Sequence, residues 1–262
     1  MHYFLRYEGG HIGVTGDRRA AVEWYCRHLG LTVGFDSAGD GQTLLRFPVR
    51  FGLPLVSMNG HLAGLWEGEA WVRESNVRMC LAAPDVERTH AQLADEGVRV
   101  TPIRSGPGGE RWFDFYDLEG TRLTAVGRPA LLAEAPAARF LGYAPLRIGV
   151  RSWEAARDWY QRCMGMTVVA EHPAGKAVLM ELGSFEPIWL EEFPERAFQG
   201  PVSPLIHPNF LAVEIEAAHR WATLQGLSPS PLRGAPGDHS FFHLFDPDGN
   251  RINLYTYPGA QA

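Results

Sequence analysis

The sequence has few cysteines, no long apolar run and no excess of basic residues. Its three cysteines, Cys26, Cys80 and Cys163, stand far apart, which favours a reducing compartment over a disulfide framework. No stretch approaches the roughly 20 apolar residues of a membrane span, and the N-terminus lacks the basic start and apolar core of a signal peptide. The sequence therefore predicts a cytoplasmic protein that does not enter a membrane.

Basic residues are also outnumbered, since 24 Lys and Arg face 30 Asp and Glu and give a formal net charge of -6 at pH 7. This balance argues against a nucleic-acid partner. The glycine-rich stretch GPGGE at 106–110 lacks the Lys-Ser/Thr of a phosphate loop and is interpreted as an ordinary loop. No Ser/His/Asp or Cys/His nucleophile arrangement is recognisable. Hydrophobic residues make up 45% and charged residues 21%, which is typical of a globular protein with a sizeable core.

The chain contains an internal duplication. One block, HIGVTGDRRAAVEWYCRHLGLTV, returns as RIGVRSWEAARDWYQRCMGMTV, and another, FDFYDLEGTRLTAV, returns as FHLFDPDGNRINLY. Three paired blocks recur in the same order, at 11–33 and 147–168, at 77–98 and 206–227, and at 113–126 and 242–255. The duplication predicts two domains of the same fold.

The predicted boundaries are 1–127 for the first domain, 128–145 for an Ala- and Pro-rich linker and 146–262 for the second domain. In each domain the hydrophobic periodicity predicts a strand, a helix and three strands, twice over. One helix is predicted over Arg18–His28, with Gly30 as its stop. The turn D-P-D-G-N suits a tight reversal between the last two strands. The predicted fold class is therefore α+β, with four βαβββ units.

These blocks resemble the vicinal oxygen chelate superfamily, which includes glyoxalase, bleomycin resistance protein and extradiol dioxygenase. The resemblance is carried by the opening strand with its glycine, the helix ending in W-Y-x-x-x-x-G, and FDPDGNRINL at 245–254. It implies a tandem form with two glyoxalase-like domains, each a pair of βαβββ units forming a cup-shaped incomplete barrel. In the family the cup holds a ligand or a divalent metal. The usual His/His/Glu metal ligands lie on the first strand, on the fifth strand and near the end of the eighth.

The residues at these three positions differ from the family's metal set. They are His11, Arg78 and Thr124 in the first half, and Arg147, His207 and Asn253 in the second. A guanidinium stays protonated, has no lone pair for a metal and repels a nearby cation. We therefore predict no cofactor and a cup that binds a small polar or aromatic organic ligand. The predicted catalytic residues are His207, Arg147 and His243, and the predicted ligand-binding residues are His11, Arg78, Thr124, Asn253 and Trp189.

Two alternatives remain open at this point. His239, Phe241 and His243 alternate on one face of the strand before the D-P-D-G-N turn. Together with His207, the two histidines of that strand could bind one divalent metal, Fe, Mn, Zn or Ni. Alternatively, the arginines at the ligand positions form internal ion pairs with carboxylates and close the cups.

Two classes of function correspond to these alternatives. The first is a binding or resistance protein, or a metal-independent lyase or isomerase. The second is a metal-dependent glyoxalase or an extradiol-type dioxygenase with relocated ligands. Both predict a small-molecule ligand or substrate, no nucleic-acid or membrane partner, and a monomer or weak homodimer, because four units complete both cups within one chain. The aromatic residues that could line a cup are Phe47, Trp66, Trp112, Phe185, Trp189 and Phe193.

Overall fold

A computed structural model describes residues 4–37, 41–48, 52–57, 75–106, 108–131, 137–183, 185–199, 205–235 and 237–259. The chain divides into two compact units. The N-terminal unit contains His11–Ala144 and Ser203–Ile206, and the C-terminal unit contains Met1–Gly10, Pro145–Val202 and His207–Ala262. No helix in the described part of the chain is long and apolar enough to cross a membrane.

The N-terminal unit contains two strand–helix–three-strand modules. Its elements, in chain order, are the last four residues of β1 (Phe4–Val14), α1 (Arg18–Leu29), β2 (Thr32–Ser37), β3 (Gln42–Arg46), β4 (Gly52–Ser57), β5 (Val77–Ala83), α2 (Val86–Asp95), β6 (Arg104–Ser105), β7 (Arg111–Tyr116) and β8 (Arg122–Gly127). A short 3-10 helix follows at Pro129–Leu131.

The C-terminal unit contains the start of β1 and two further modules. Their elements are β9 (Leu146–Val150), α3 (Trp153–Trp159), β10 (Thr167–His172), β11 (Ala177–Glu181), β12 (Ile188–Glu192), β13 (Ile206–Ala212), α4 (Ile215–Leu224), β14 (Arg233–Gly234), β15 (Ser240–Phe245) and β16 (Arg251–Thr256). Helix α3 continues as one π-helical turn at Tyr160–Met164. Two 3-10 helices lie at Pro173–Gly175 and Glu195–Phe198.

All four modules have the same strand pairing. The first strand of each module lies parallel to its last strand, as in β1 with β4, β5 with β8, β9 with β12 and β13 with β16. The remaining pairs within each module are antiparallel hairpin neighbours. The predicted α+β class with four βαβββ units is therefore confirmed.

Helix α1 shows how the sequence sets the local structure. The Asp17 side chain accepts hydrogen bonds from the backbone N–H groups of Arg19 and Ala20 at the helix start. The helix ends at Gly30, whose φ of 71° is left-handed and therefore favours a residue without Cβ. The helix predicted over Arg18–His28 is confirmed and continues for one more residue.

In α1 and at the end of α3, a tyrosine that follows a tryptophan holds the turn before the last strand of its unit. Tyr25 Oη donates to Asp117 Oδ2 at 2.9 Å, and Tyr160 Oη donates to Asp246 Oδ2 at 3.1 Å. Both tyrosines are fully buried. Because Asp117 and Asp246 open the tight turns before β8 and β16, these bonds hold in place the strands that carry the candidate site residues.

The described part of the predicted linker packs against the N-terminal unit. The backbone N–H groups of Leu141 and Ala144 donate to Ala82 and Cys80 on β5, and Ala82 N–H donates to Gly142. Ala144 also joins a buried apolar cluster with Cys80 and Ala82. These residues therefore extend the edge of the unit rather than form a solvated tether, and the domain bounds of 127 and 146 stay a prediction.

Candidate functional site

Five buried polar side chains share one face of β13, β15 and β16 in the C-terminal unit. Each of them is at most 6% exposed, while Phe242, Leu244, Ile252 and Leu254, which alternate with them, are fully buried in the core. Since side chains alternate along a strand, the polar set lies opposite the core. We call this set, His207, Asn209, His243, Arg251 and Asn253, the polar face.

The contact between Arg251 and His243 sets the charge of the polar face. Arg251 Nη2 lies 2.8 Å from His243 Nε2, and both side chains are buried. A guanidinium can only donate, so Nε2 is the acceptor and the imidazole is neutral with its proton on Nδ1. Burial lowers the pKa of Arg251 to about 9, which still leaves the guanidinium protonated at neutral pH. The polar face therefore carries a buried positive charge beside a neutral histidine.

The other members add a second imidazole and two amides. The ring of His207 lies 6.2 Å from that of His243, measured between centroids. Asn253 Nδ2 donates to Asn209 Oδ1 at 2.9 Å. Asn253 Oδ1 is buried and accepts no hydrogen bond from the described residues. Because a buried polar atom without a partner is costly, this oxygen is suited to meet a donor on a bound molecule.

Tyr255 lies next along β16 and is linked to the start of β1. Its hydroxyl donates to Glu8, which also accepts a hydrogen bond from Arg6. Burial, together with the bond to this carboxylate, raises the pKa of Tyr255 above its usual range. The phenol is therefore a donor at neutral pH and is held by Glu8.

His239 differs from the buried histidines. It precedes β15 and is exposed, with its ring 6.1 Å from that of Phe241 and 6.0 Å from that of Tyr255. Of the alternative metal trio, the structure therefore brings the rings of His207 and His243 close together, whereas His239 lies toward the solvent at the strand start.

The corresponding face of the N-terminal unit is built around a buried carboxylate. Asp114 is 1% exposed on β7 and accepts a hydrogen bond from Thr124 Oγ1 at 2.6 Å. Arg122 donates to the same carboxylate, and Arg78 Nη1 lies 3.7 Å from Asp114 Oδ2. Arg78 and Thr124, two predicted ligand-binding residues, are thus brought together by an internal acid, as the ion-pair alternative expects.

Arg147 and Trp189 lie on β9 and β12 of the C-terminal unit, where they are register partners, and not on the polar face. Arg147 Nη1 lies 3.5 Å from Glu191 Oε1, and the ring of Trp189 lies 5.1 Å from that of His172. The predicted catalytic trio is therefore divided, with His207 and His243 on the polar face and Arg147 beside Glu191.

His11 and Trp66 complete the predicted set. His11 is partly buried on β1, between Ile12 and Gly10, on the face opposite the buried Ile12 and Val14. Trp66 lies outside the described residues.

The polar face does not suit a divalent cation. No group of three or more His, Cys, Asp or Glu side chains is arranged for a metal among the residues that the structure describes. The lone pair of His243 Nε2 faces a guanidinium proton, and the Arg251 charge would repel a cation a few Å away. The donor set of the polar face therefore matches an acceptor-rich ligand better than a metal ion.

Sequence reasoning missed four residues of these clusters. Arg251 and Asn209 are members of the polar face, Asp114 is the centre of its counterpart, and Arg122 donates to Asp114. A signal for Arg251 was present, since it stands two residues before the predicted Asn253 and strand alternation puts both on one face. Asn209 stands in the same relation to His207.

The family model of the Glyoxalase/Bleomycin resistance protein/Dioxygenase superfamily matches residues 142–254. A protein of Bacillus subtilis, provisionally described as a dioxygenase, has a similar structure with a TM-score of 0.68 and 17% identity over 98% of this chain and 87% of its own. Glyoxalase I of Zea mays gives a TM-score of 0.65 and 16% identity over 96% of this chain and 92% of its own. No curated protein matches the sequence. At these identities the structural similarities establish the fold.

Proposed function

We propose that this chain, whose residues 142–254 match the Glyoxalase/Bleomycin resistance protein/Dioxygenase superfamily, binds a small organic ligand on the polar face without a metal. One observation carries the proposal: the buried Arg251 guanidinium donates to a neutral His243. That arrangement holds a positive charge out of water beside a neutral imidazole, and a buried guanidinium is suited to bind acceptor atoms of an organic molecule.

The other side chains of the polar face support the same function. Asn253 offers a buried acceptor, so the ligand pairs best when it carries both an acceptor and a donor. Phe241 stands at the edge of the polar face, with its ring 5.5 Å from that of His243. An aromatic ring beside charged anchors suits a ligand with a flat apolar part.

His207 is the group we assign to proton exchange with the ligand. Its imidazole is buried near His243, which is held neutral by Arg251. An imidazole titrates near neutral pH and can accept or return a proton without a metal. The proposed function is thus ligand binding on the polar face, with His207 as the acid–base group if the bound molecule is converted.

The test combines elemental analysis with ligand binding. Protein made without a histidine tag, in medium supplemented with Fe, Mn, Zn and Ni, is expected to contain no stoichiometric metal. Thermal shift with benzoate, benzamide, benzyl alcohol and catechol is expected to identify binders in the wild type. Arg251→Lys keeps the charge but loses the planar fork, and should weaken binding about tenfold.

Arg220→Lys is the matched control, because Arg220 is exposed on helix α4, outside the three strands that carry the polar face. This variant should bind as the wild type does. A tightly held metal that is lost in His207→Ala, or equal binding by both arginine variants, would contradict the proposal.

A further inference from the structure

The row of polar side chains on β16 continues past the polar face to Tyr255. Asn253 and Tyr255 lie on the same side of the strand, because every second residue of a strand points to the same face. Asn253 is buried, whereas Tyr255 and its register partner on β15, Phe241, are half-buried. This level of the hairpin therefore lies between the buried polar face and the solvent.

The hydroxyl proton of Tyr255 is held by Glu8 at the start of β1. Tyr255 Oη donates to Glu8 Oε2, and Arg6 Nε donates to the other carboxylate oxygen, Oε1. A carboxylate can only accept, so the shared proton lies on the phenol. Burial and the bond to Glu8 raise the pKa of Tyr255, which keeps this proton in place at neutral pH. Since a phenol has one proton, its oxygen can only accept a hydrogen bond from a further partner.

Asn253 presents a second acceptor on the same side of β16. Its Nδ2 donates to Asn209 Oδ1 at 2.9 Å, which sets the direction of the amide. Its Oδ1 is buried and accepts no hydrogen bond from the described residues. Residues two positions apart on a strand are separated by about 7 Å, so one small organic molecule can contact both Asn253 and Tyr255.

We propose that the ligand carries a hydrogen-bond donor, such as the N–H of a primary amide, that meets Asn253 Oδ1 and Tyr255 Oη, and that Glu8 sets this preference by holding the Tyr255 proton. This inference rests on the proposed function and names the ligand group at this end of the polar face. A ligand with a methyl group there would leave the Asn253 oxygen buried without a partner. Sites built to bind a donor reject analogues that lack it more strongly than apolar sites reject a change of size. Glu8 acts through Tyr255 and is therefore a positioning residue.

The test is isothermal titration calorimetry of the wild type with matched pairs of small molecules, namely acetamide and acetone, benzamide and acetophenone, and phenylacetamide and phenylacetone. Both members of a pair carry the same carbonyl acceptor, and a methyl group of the ketone replaces the NH₂ group of the amide. We expect at least one amide to bind about tenfold more tightly than its ketone, or better.

Two variants test how the preference arises. Tyr255→Phe keeps the ring and removes the Oη acceptor, whereas Glu8→Ala allows the phenol to turn and donate to a ketone. In each variant the ratio of amide affinity to ketone affinity should fall about threefold or more. This ratio is the readout, because a merely structural change weakens both members of a pair alike.

Tyr116→Phe is the control for the loss of a phenol hydroxyl. Tyr116 is half-buried in the N-terminal unit, where Arg99 lies over its ring, and the variant should keep the wild-type ratio. Melting temperatures show whether each variant is folded, and the wild-type pairs give their result without any variant.

Ketones that bind the wild type as tightly as their amides would overturn the inference and leave the proposed binding function intact. A ratio that stays at the wild-type value in Tyr255→Phe would equally refute it, and the same result in Glu8→Ala would refute the role of Glu8. If no probe binds the wild type, the proposed function itself fails, and the inference fails with it.

Discussion

The buried turn acid Asp246 offers a test of the energetics that hold β16, and with it the polar face, in place. Its carboxylate accepts the backbone N–H groups of Asp248 and Asn250 on one oxygen, and Tyr160 Oη and Asn250 Nδ2 on the other. Burial nevertheless raises its pKa from 3.8 to about 6. The folded protein therefore binds a proton at Asp246 at pH values where the unfolded chain has already lost it.

The direction of the pH effect follows from proton linkage. A carboxyl group whose folded pKa is raised stabilises the fold fully below pH 3.8, and this stabilisation is lost as the pH rises through 6. The full loss is about 3 kcal/mol, from about 1.4 kcal/mol for each unit that separates the two pKa values, and about 2 kcal/mol of it falls between pH 4 and 7.5. Wild-type stability should accordingly fall over this interval by that amount through Asp246 alone.

Asp246→Asn removes the titration and should flatten the pH dependence of stability by about 2 kcal/mol. The assay is urea unfolding followed by tryptophan fluorescence at pH 4, 5, 6 and 7.5. The readout is the change in unfolding free energy with pH. The absolute unfolding free energy of the variant is less informative, because the new amide nitrogen would face the amide of Asn250 and lower stability at every pH.

The control is Asp238→Asn, which neutralises an exposed acid in the loop before β15. Its unfolding free energy should vary with pH as that of the wild type does. Should the Asp246→Asn curve also run parallel to the wild-type curve, Asp246 would have an ordinary pKa in the folded protein, and the reasoning from burial would be refuted.

Two further substitutions, one inside each half of the chain, test local packing by urea unfolding at pH 7. Asp114→Ala removes the acid between Arg78 and Arg122 and should lower the unfolding free energy by about 3–5 kcal/mol. The control Glu87→Ala breaks an exposed pair with Arg111 and should lower it by less than about 1 kcal/mol. Similar losses of unfolding free energy in both variants would show that burial of the Asp114 cluster is unimportant. Gly149→Ala would place a Cβ 2.2 Å from Phe193 Cδ2 and should cost about 1–3 kcal/mol through forced displacement of that ring; an unchanged midpoint would show that the ring moves freely.

The sequence predicted the modules well because their signals are local. The periodicity of α1 and the Asp17 and Gly30 ends depend only on neighbouring residues, and the repeat supplied each signal twice. The first repeated block begins at residue 11, whereas β1 already begins at Phe4 and passes through Gly9, whose positive φ breaks the alternation on which a strand prediction relies.

A hydrogen bond from a helix histidine to a loop also recurs in both halves, but no local sequence pattern predicts it. His90 and His219 occupy matched helix positions, and their Nε2 atoms contact the carbonyl oxygens of Thr101 at 3.0 Å and Ser230 at 2.9 Å. Such bonds join a helix to a loop eleven residues away, and their existence depends on how the loop passes the helix. The spacing of residues in the sequence does not predict the path of that loop.

The candidate site was only partly predictable for a related reason. Strand alternation was sufficient to predict that His207 and His243 lie opposite the apolar core side of their strands. Their proximity, and the contact of His243 with Arg251, depend on the pairing register of β15 and β16, which a single sequence does not specify. Asp114 was not predicted, because the equivalent residue of the second half is His243 and the repeat therefore contains no matching acid.

The differences between the two copies are therefore more informative about function than their similarities. The bonds of Tyr25 with Asp117 and of Tyr160 with Asp246 recur because both units need the same turn before their last strand. The face next to that strand is free to diverge, since either an internal ion pair or a solvated or ligand-filled pocket can satisfy its arginine. In the N-terminal unit Asp114 satisfies the arginine from within the fold, and such a face has little left to offer a ligand. In the C-terminal unit a neutral imidazole stands at the position of that acid and contacts the guanidinium, so we place the proposed binding in this unit.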